Sequence, residues 1–225
     1  PAYAGSGRLL HQGSRWQYQG FSGQVGRSDV AGNLTLDLGG PRPRLHGDIA
    51  NRLLDLADLG PVLGLGGDTP AGRLLPDLPI RSAGWRKLDA DLRLSAQHVV
   101  RSRQLPLDSI ATRLLLQDGV LALQALDLGS AGGHLTGSLE LDARQPLLQA
   151  SASLQAQGLQ LTQLLAVAEQ ARAGSGRLHG RAELRGQGTT LGALLGSASG
   201  SLVLAAEPGR ISRLLMERLG LHLLE

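Results

Sequence analysis

The stretch that decides the fold is Leu88-Asp89-Ala90-Asp91-Leu92-Arg93-Leu94-Ser95-Ala96-Gln97, in which apolar and polar residues alternate strictly. A period of two places the apolar side chains on one face of a strand and the polar side chains on the other. The same alternation recurs over residues 135–142, 148–156, 178–185 and 200–206. Strands with one buried and one solvated face are typical of antiparallel sheets, so the sequence predicts a mainly β fold.

The connections between these strands carry their own signals. Asp118-Gly119 lies between two apolar runs and predicts a tight hairpin turn. Leucines spaced three or four apart predict about four short helices, at residues 56–63, 162–171, 190–195 and 212–219. Residues 64–86 are rich in Gly and Pro, which predicts a long loop or linker.

An internal repeat organises the chain. Residues 28–59 align without a gap on residues 133–164, and a third, partial copy starts at Gly200. Such self-similarity is typical of an elongated array in which one unit stacks on the next. We therefore expect a curved, elongated antiparallel sheet with a first repeat over residues 1–64, a linker over 65–86, and second and partial third repeats over 87–225.

The apolar face of this sheet is larger than the predicted helices can cover. Ten strands of eight residues would present a face of roughly 1,300 Å², whereas four short helices shield on the order of 560 Å². Contiguous apolar patches above ~300–600 Å² are rare on monomeric proteins. Two alternatives remain open from composition alone: the sheet packs on itself as a sandwich, or it forms a trough filled by an apolar ligand.

Composition excludes several classes of function. The 225 residues include no cysteine, so the chain has no disulfide framework and no thiolate metal site. No run approaches the ~18 apolar residues of a transmembrane helix. Aromatic residues make up 2% of the chain, too few for the stacking platforms of nucleic-acid binding. The chain starts at Pro1 without an initiator Met, and we interpret it as a piece of a longer protein.

The sequence contains no catalytic or metal-binding motif of the familiar kinds. Its six histidines are isolated from one another along the chain: His11, His46, His98, His134, His179 and His222. Asp89 and Asp91 resemble a carboxylate pair, but no neighbouring residue in the sequence suggests the cation that they would need. We expect no enzyme activity, no cofactor and no metal. Trp16, Tyr18 and Phe21 are expected to cap one end of the sheet.

The order of these patterns resembles the C-terminal part of AsmA-family proteins. The resemblance rests on residues 88–94, on Leu105-Pro106-Leu107-Asp108, on the turn at Asp118-Gly119, and on residues 129–142. It continues through residues 176–219, and residues 29–64 resemble the preceding unit. It implies a Gram-negative envelope protein on the periplasmic side of the inner membrane, anchored by a helix outside this chain. It also implies likeness to TamB and to the chorein-type bridge proteins, whose β-grooves are thought to conduct phospholipids.

The hypothesis is therefore a hydrophobic β-groove that binds phospholipid acyl chains and conducts them between membranes. The side chains expected to line it are Leu34, Leu36, Leu92, Leu94, Leu135, Leu139, Leu141, Leu154, Leu184, Leu202 and Leu204. One alternative is a non-enzymatic scaffold that assists outer-membrane protein assembly or targeting by adding a partner's strand to a sheet edge. Another is a β-sandwich spacer without a ligand.

Overall fold

A computed structural model describes residues 3–55, 58, 80, 82–100, 107–164 and 176–207. All eleven strands of this part of the chain belong to one open, curved sheet, and their order in the sheet is their order in the sequence. The strands are β1 Tyr3–Gln12, β2 Arg15–Val25, β3 Ser28–Asp37, β4 Arg44–Asp55, β5 Asp89–Val100, β6 Leu107–Gln117, β7 Val120–Ser130, β8 Gly133–Asp142, β9 Leu148–Gln160, β10 Arg177–Gly188 and β11 Ser199–Ala206. Two short helices follow β9 and β10: α1 Leu161–Leu164 and α2 Leu191–Gly196.

The mainly β fold is confirmed, whereas the prediction of about four helices is not, since the described residues contain two. Helix α2 lies where the sequence placed a helix, and the hydroxyl of Thr190 accepts a hydrogen bond from the Ala193 amide at its start. Helix α1 covers the start of the predicted helix 162–171. The predicted helix 212–219, nearly all of 56–63 and most of the predicted linker lie outside the described residues.

One pair of neighbouring strands departs from the predicted antiparallel arrangement. Strands β4 and β5 pair in parallel, with Leu45 opposite Ala90 and Ile49 opposite Leu94. A parallel connection needs a dozen or more residues, and the segment between β4 and β5 is long enough to provide it. Alternation could not reveal this, because a period of two is the same in either strand direction. The other nine pairs are antiparallel.

The predicted hairpin at Asp118-Gly119 is confirmed. Its two central residues have φ angles of 51° and 81°. Positive φ at both positions is what a two-residue type I′ turn requires, and the turn brings β6 and β7 into register with Gln117 opposite Val120. This turn therefore sets which face of β6 and β7 carries the apolar residues.

The repeat is visible in the backbone. Strands β3 and β8 are offset by 105 residues at both ends. In β8, Gly137 has a φ of 149°, and a Cβ added there would lie 2.0 Å from the carbonyl oxygen of Ser153. The equivalent glycines, Gly32 and Gly200, have φ angles of 153° and 149° and approach the neighbouring strand equally closely. Each copy thus contains a position that an L side chain cannot occupy without strain. The division into 1–64, 65–86 and 87–225 stays a prediction.

The sheet has little fully enclosed core. Among the described residues Ala131 is fully buried, and no large side chain is less than 2% exposed. The best-buried apolar side chains lie near the ends of the strands, as with Leu148 and Leu161, each 4% exposed, and Leu194 of α2. Because the sheet is open and each described strand contacts chiefly its neighbours in the sheet, these strands do not pack face to face as the sandwich that composition left open.

Candidate functional site

Strand register places the predicted lining residues on one face. Residues opposite each other in neighbouring strands point to the same side of a sheet. A continuous row of such partners crosses all eleven strands: Leu9, Tyr18, Leu34, Gly47, Leu92, Leu114, Leu123, Leu139, Ala152, Leu184 and Gly200. We call the face that carries this row the leucine face and the opposite one the polar face.

All eleven predicted leucines lie on the leucine face, in four adjacent rows. Four of them belong to the row above: Leu34, Leu92, Leu139 and Leu184. The other seven lie in the three remaining rows, because side chains two residues apart in a strand share a face. One row contains Leu36 and Leu141, the second contains Leu94, Leu154 and Leu202, and the third contains Leu135 and Leu204. The structure therefore brings these residues together on a shared surface. Their binding of lipid stays a prediction.

The sequence interpretation missed further members of this face, most of them on β6 and β7. They are Leu45, Ile49, Ile110, Leu114, Leu116, Leu121, Leu123, Leu126 and Leu128. The Asp118-Gly119 turn was a usable signal for most of them, since a two-residue turn fixes the register of both strands. Residues 107–117 lack strict alternation, because Leu115 adds an apolar residue to the polar face.

The leucine face is only partly shielded. Most of its side chains are half-buried, and Leu202 on β11 is 56% exposed. Helix α2 packs onto the end of β10, where a Cβ at Gly188 would meet the Ala193 side chain at 2.6 Å. The two described helices thus contact β9 and β10 near their ends and leave the central rows uncovered by the described part of the chain.

The polar face is lined by short-range ion pairs. Asp91 receives two hydrogen bonds from the Arg113 guanidinium, at 2.8 and 2.6 Å, and these lower the pKa of Asp91. Arg42 lies 3.6 Å from Asp89. The expectation that nothing would supply a cation to Asp89 and Asp91 was therefore wrong, because both arginines are distant in sequence and reach the carboxylates only through strand pairing and the turn after β3.

Two equivalent turns are closed by carboxylates at the ends of β3 and β8. The Asp142 carboxylate accepts a hydrogen bond from the Arg144 amide at 2.9 Å, and the Arg144 guanidinium binds both of its oxygens. These contacts, the guanidinium first, lower the pKa of Asp142 to about 2. In the first repeat, Asp37 accepts from the Gly39 amide at the same position, which lowers its pKa as well.

Three of the histidines each contact a different partner. His134 lies 3.1 Å from Asp127, His179 lies 3.2 Å from Glu207, and His11 stacks on Trp16. No group of three or more potential metal ligands occurs among the described residues. Nor does any helix in the described ranges combine the length and apolarity that a membrane span requires.

A recess of about 610 Å³ spans β7 to β11. Most of its lining side chains belong to the polar face, among them Glu140, Ser153, Glu183 and Arg185. Ser153 donates a hydrogen bond to Glu183 at 2.7 Å. The recess is thus lined mainly by the polar face, with contributions from Leu123, Leu139 and Leu184 of the central row.

Comparison with known proteins agrees with this architecture. The family model described as "AsmA family" matches residues 5–223. The chain belongs to the AsmA family. It is 34% identical over 245 residues to AsmA family protein YhjG of Escherichia coli (strain K12), an alignment that covers 99% of this chain and 36% of that relative. No solved structure matches the chain. This AsmA-family chain therefore spans about a third of the curated relative that it matches.

Proposed function

We propose that this chain is a segment of a hydrophobic β-groove that binds phospholipid acyl chains and conducts them between the inner and outer membranes. The observation that supports this proposal is the leucine face, a single apolar surface that continues in register across eleven strands. Because the chain spans about a third of its relative, the activity of the whole protein is part of the proposal. The proposal also places the protein on the periplasmic side of the inner membrane, as the family resemblance implies.

The dimensions of the leucine face suit an acyl chain. Eleven strands spaced ~4.8 Å apart make rows about 48 Å long. The hydrocarbon layer of a bilayer is ~30 Å thick, so one leaflet contributes about 15 Å. An acyl chain that lies along a row would therefore contact three or four strands at a time and leave others free for the next position.

The chemistry of the face favours sliding over tight capture. Each buried CH₂ contributes ~0.8 kcal/mol, which holds the chain on the surface. Leucine, alanine and glycine residues offer no side-chain hydrogen bonds on this face. An acyl chain displaced by one strand therefore contacts a similar apolar surface. The groove thus acts passively, without a catalytic step or a cofactor, and leaves the headgroup in solvent.

A charge on the leucine face tests the proposal. We expect Leu139→Asp and Leu202→Asp to leave the sheet folded and the groove empty, because a carboxylate would be unpaired beside the acyl chain. The matched control is Ser138→Asp, which adds the same charge to the next residue on the polar face. Mass spectrometry of organic extracts measures the bound lipid.

The expected result is phospholipid from the unmutated protein and from Ser138→Asp, and none from the two leucine variants. Circular dichroism confirms that the variants keep their β structure. Reproducible absence of lipid from the unmutated protein would refute the groove.

A scaffold function is the second candidate, and the outer strand of the sheet supports it. Strand β11 is the last strand of the described sheet, and its Leu202 and Val203 are 56% and 65% exposed. Such an edge can accept a strand from a partner protein. Capture of an envelope protein that survives delipidation and fails in Val203→Pro would favour this function over lipid conduction.

A further inference from the structure

We propose that the β1–β2 end of the sheet docks onto the interface of a lipid bilayer through a patch of four side chains. This docking patch consists of Leu9, His11, Trp16 and Tyr18. The inference goes beyond the proposed function, which concerns lipid inside the groove and does not say which surface meets a membrane.

The docking patch is continuous with the leucine face. Leu9 pairs with Tyr18 across β1 and β2, and His11 pairs with Trp16. Trp16 and Tyr18 in turn lie opposite leucines of β3, so within the described sheet the patch lies at one end of the rows of the leucine face. Leu9 is 60% exposed and Trp16 is 38% exposed. These side chains are therefore available to an external surface.

The patch is held in a fixed shape. The rings of His11 and Trp16 stack with their centres 4.0 Å apart, and those of Tyr18 and Phe21 stack at 5.1 Å. Phe21 is 8% exposed and anchors the second pair. A Cβ at Gly7 would lie 2.5 Å from the Tyr18 ring, so the glycine allows this ring to lie over β1. Docking would cost little conformational entropy, because the rings are already packed.

The chemistry of the patch matches the boundary between headgroups and acyl chains. Tryptophan and tyrosine favour that boundary because their rings are apolar while their N–H and O–H groups bind water or headgroups. Three of the five aromatic residues of the chain lie within β2, whereas the described strands β3 to β11 contain no phenylalanine, tryptophan or tyrosine. An exposed leucine beside these rings can enter the hydrocarbon layer.

Charge supports the same partner. Residues 1–27 contain Arg8, Arg15 and Arg27 and no acidic residue. Arg15 begins β2 and Arg27 follows its other end, and they form ion pairs with Asp37 and Asp55, at 3.2 and 3.5 Å, which partly compensate their charges. Arg8 is next to Leu9 of the docking patch, and an anionic lipid surface attracts a cation near it by about 1 kcal/mol. Arg8 is exposed on the edge strand, where its long side chain can reach a headgroup while Leu9 faces the bilayer.

The two tryptophans of the chain allow a direct test. Trp85→Phe leaves Trp16 as the only indole, and Trp16→Phe leaves Trp85, which lies in the turn before β5. Each variant is mixed with vesicles of phosphatidylethanolamine and phosphatidylglycerol, with and without brominated acyl chains. We expect vesicles to shift the emission of Trp85→Phe to the blue and brominated vesicles to quench it, with no effect on Trp16→Phe.

Two further variants separate docking from lipid uptake. Leu9→Asp, made in the Trp85→Phe background, should lower vesicle affinity about tenfold, because the exposed leucine that would enter the hydrocarbon layer is replaced by a charge. Arg8→Ser should weaken binding to anionic vesicles and leave the apolar patch intact. The Leu139→Asp variant should still float with vesicles although its organic extract contains no phospholipid. Loss of lipid uptake can therefore be distinguished from loss of vesicle docking.

Removal of the vesicles by flotation identifies the source of the quenching. Quenching that disappears with the vesicles reports docking, whereas quenching that persists in the lipid-free fraction reports brominated lipid in the groove and overturns the assignment. Equal quenching of Trp16 and Trp85, or no vesicle binding at all, would also overturn it. The proposal would also be overturned if the docking patch bound a partner protein and no vesicles.

Discussion

At the scale of single residues, each copy of the repeat has a glycine at an equivalent position with positive φ. Gly137 occupies a region of φ that is nearly restricted to glycine, and the Ser153 carbonyl lies where its Cβ would be. We expect Gly137→Ala to destabilise the protein by about 1–3 kcal/mol, the usual cost of such strain. Chemical denaturation measures the loss. Gly84→Ala is the control, since a Cβ there meets nothing within 4 Å, and an equal effect of both changes would contradict the explanation.

A second prediction for a single residue concerns Asp142 and the pH dependence of thermal stability. The Arg144 guanidinium and amide lower the pKa of Asp142 from its ordinary value of 3.8 to about 2 in the folded protein. A depressed pKa contributes stability above the unfolded pKa, and that contribution is lost as the pH falls through the folded pKa. We expect thermal stability to fall between about pH 4 and pH 2.

Comparison with Asp142→Asn isolates the contribution of this carboxylate. The asparagine variant should be less stable at neutral pH and should lose part of the acid sensitivity, because it has no proton to gain. NMR titration of the carboxyl group measures its pKa directly. A midpoint near 4 in the folded protein would show that the contact with Arg144 does not persist in solution.

At the scale of elements, α2 depends on its first residue. Thr190 caps the helix by accepting the Ala193 amide at 3.1 Å, and the helix covers the leucine face with the buried Leu194. Thr190→Ala should cost about 1 kcal/mol, since the cap is lost, whereas Thr190→Ser should retain most of the stability. Denaturant unfolding of the two variants tests this. Equal losses would mean that the threonine methyl group, and not its hydroxyl, stabilises the helix end.

At the scale of the whole molecule, the sheet behaves as a one-dimensional array. Each strand packs mainly against its sequence neighbours, and the described strands share no compact core. Repeat arrays of this kind open from their ends. Hydrogen exchange followed by mass spectrometry should therefore show the fastest exchange in β1 and β11 and the slowest in β6–β8. Uniform protection along the chain would indicate a single cooperative unit instead.

The prediction for the edges also bears on function. If the docking patch binds vesicles, protection of β1 and β2 should rise when vesicles are added and that of β11 should not. If the β11 edge binds a protein partner, the change should appear at the opposite end of the sheet. The two ends of the molecule can thus be assigned separately in one experiment.

Much of this architecture was predictable from local patterns. Strict alternation identified β5, β8, β9, β10 and β11, the Asp118-Gly119 turn was correct, and the repeat located the equivalent strands β3 and β4. Alternation also grouped the eleven leucines, because side chains two residues apart must share a face. The β1–β2 hairpin was less visible, since most of the apolar positions of β2 are aromatic and the turn at Gly13 has no strong sequence signal.

The sequence by itself determined that the chain forms strands with one apolar and one polar face, because that periodicity is a local property of the backbone. Only the tertiary structure decided that β4 and β5 run parallel, that Arg113 reaches Asp91, and that one row of side chains crosses all eleven strands. Those features depend on register and strand direction, which hydrogen bonds between distant segments fix and which no local pattern encodes.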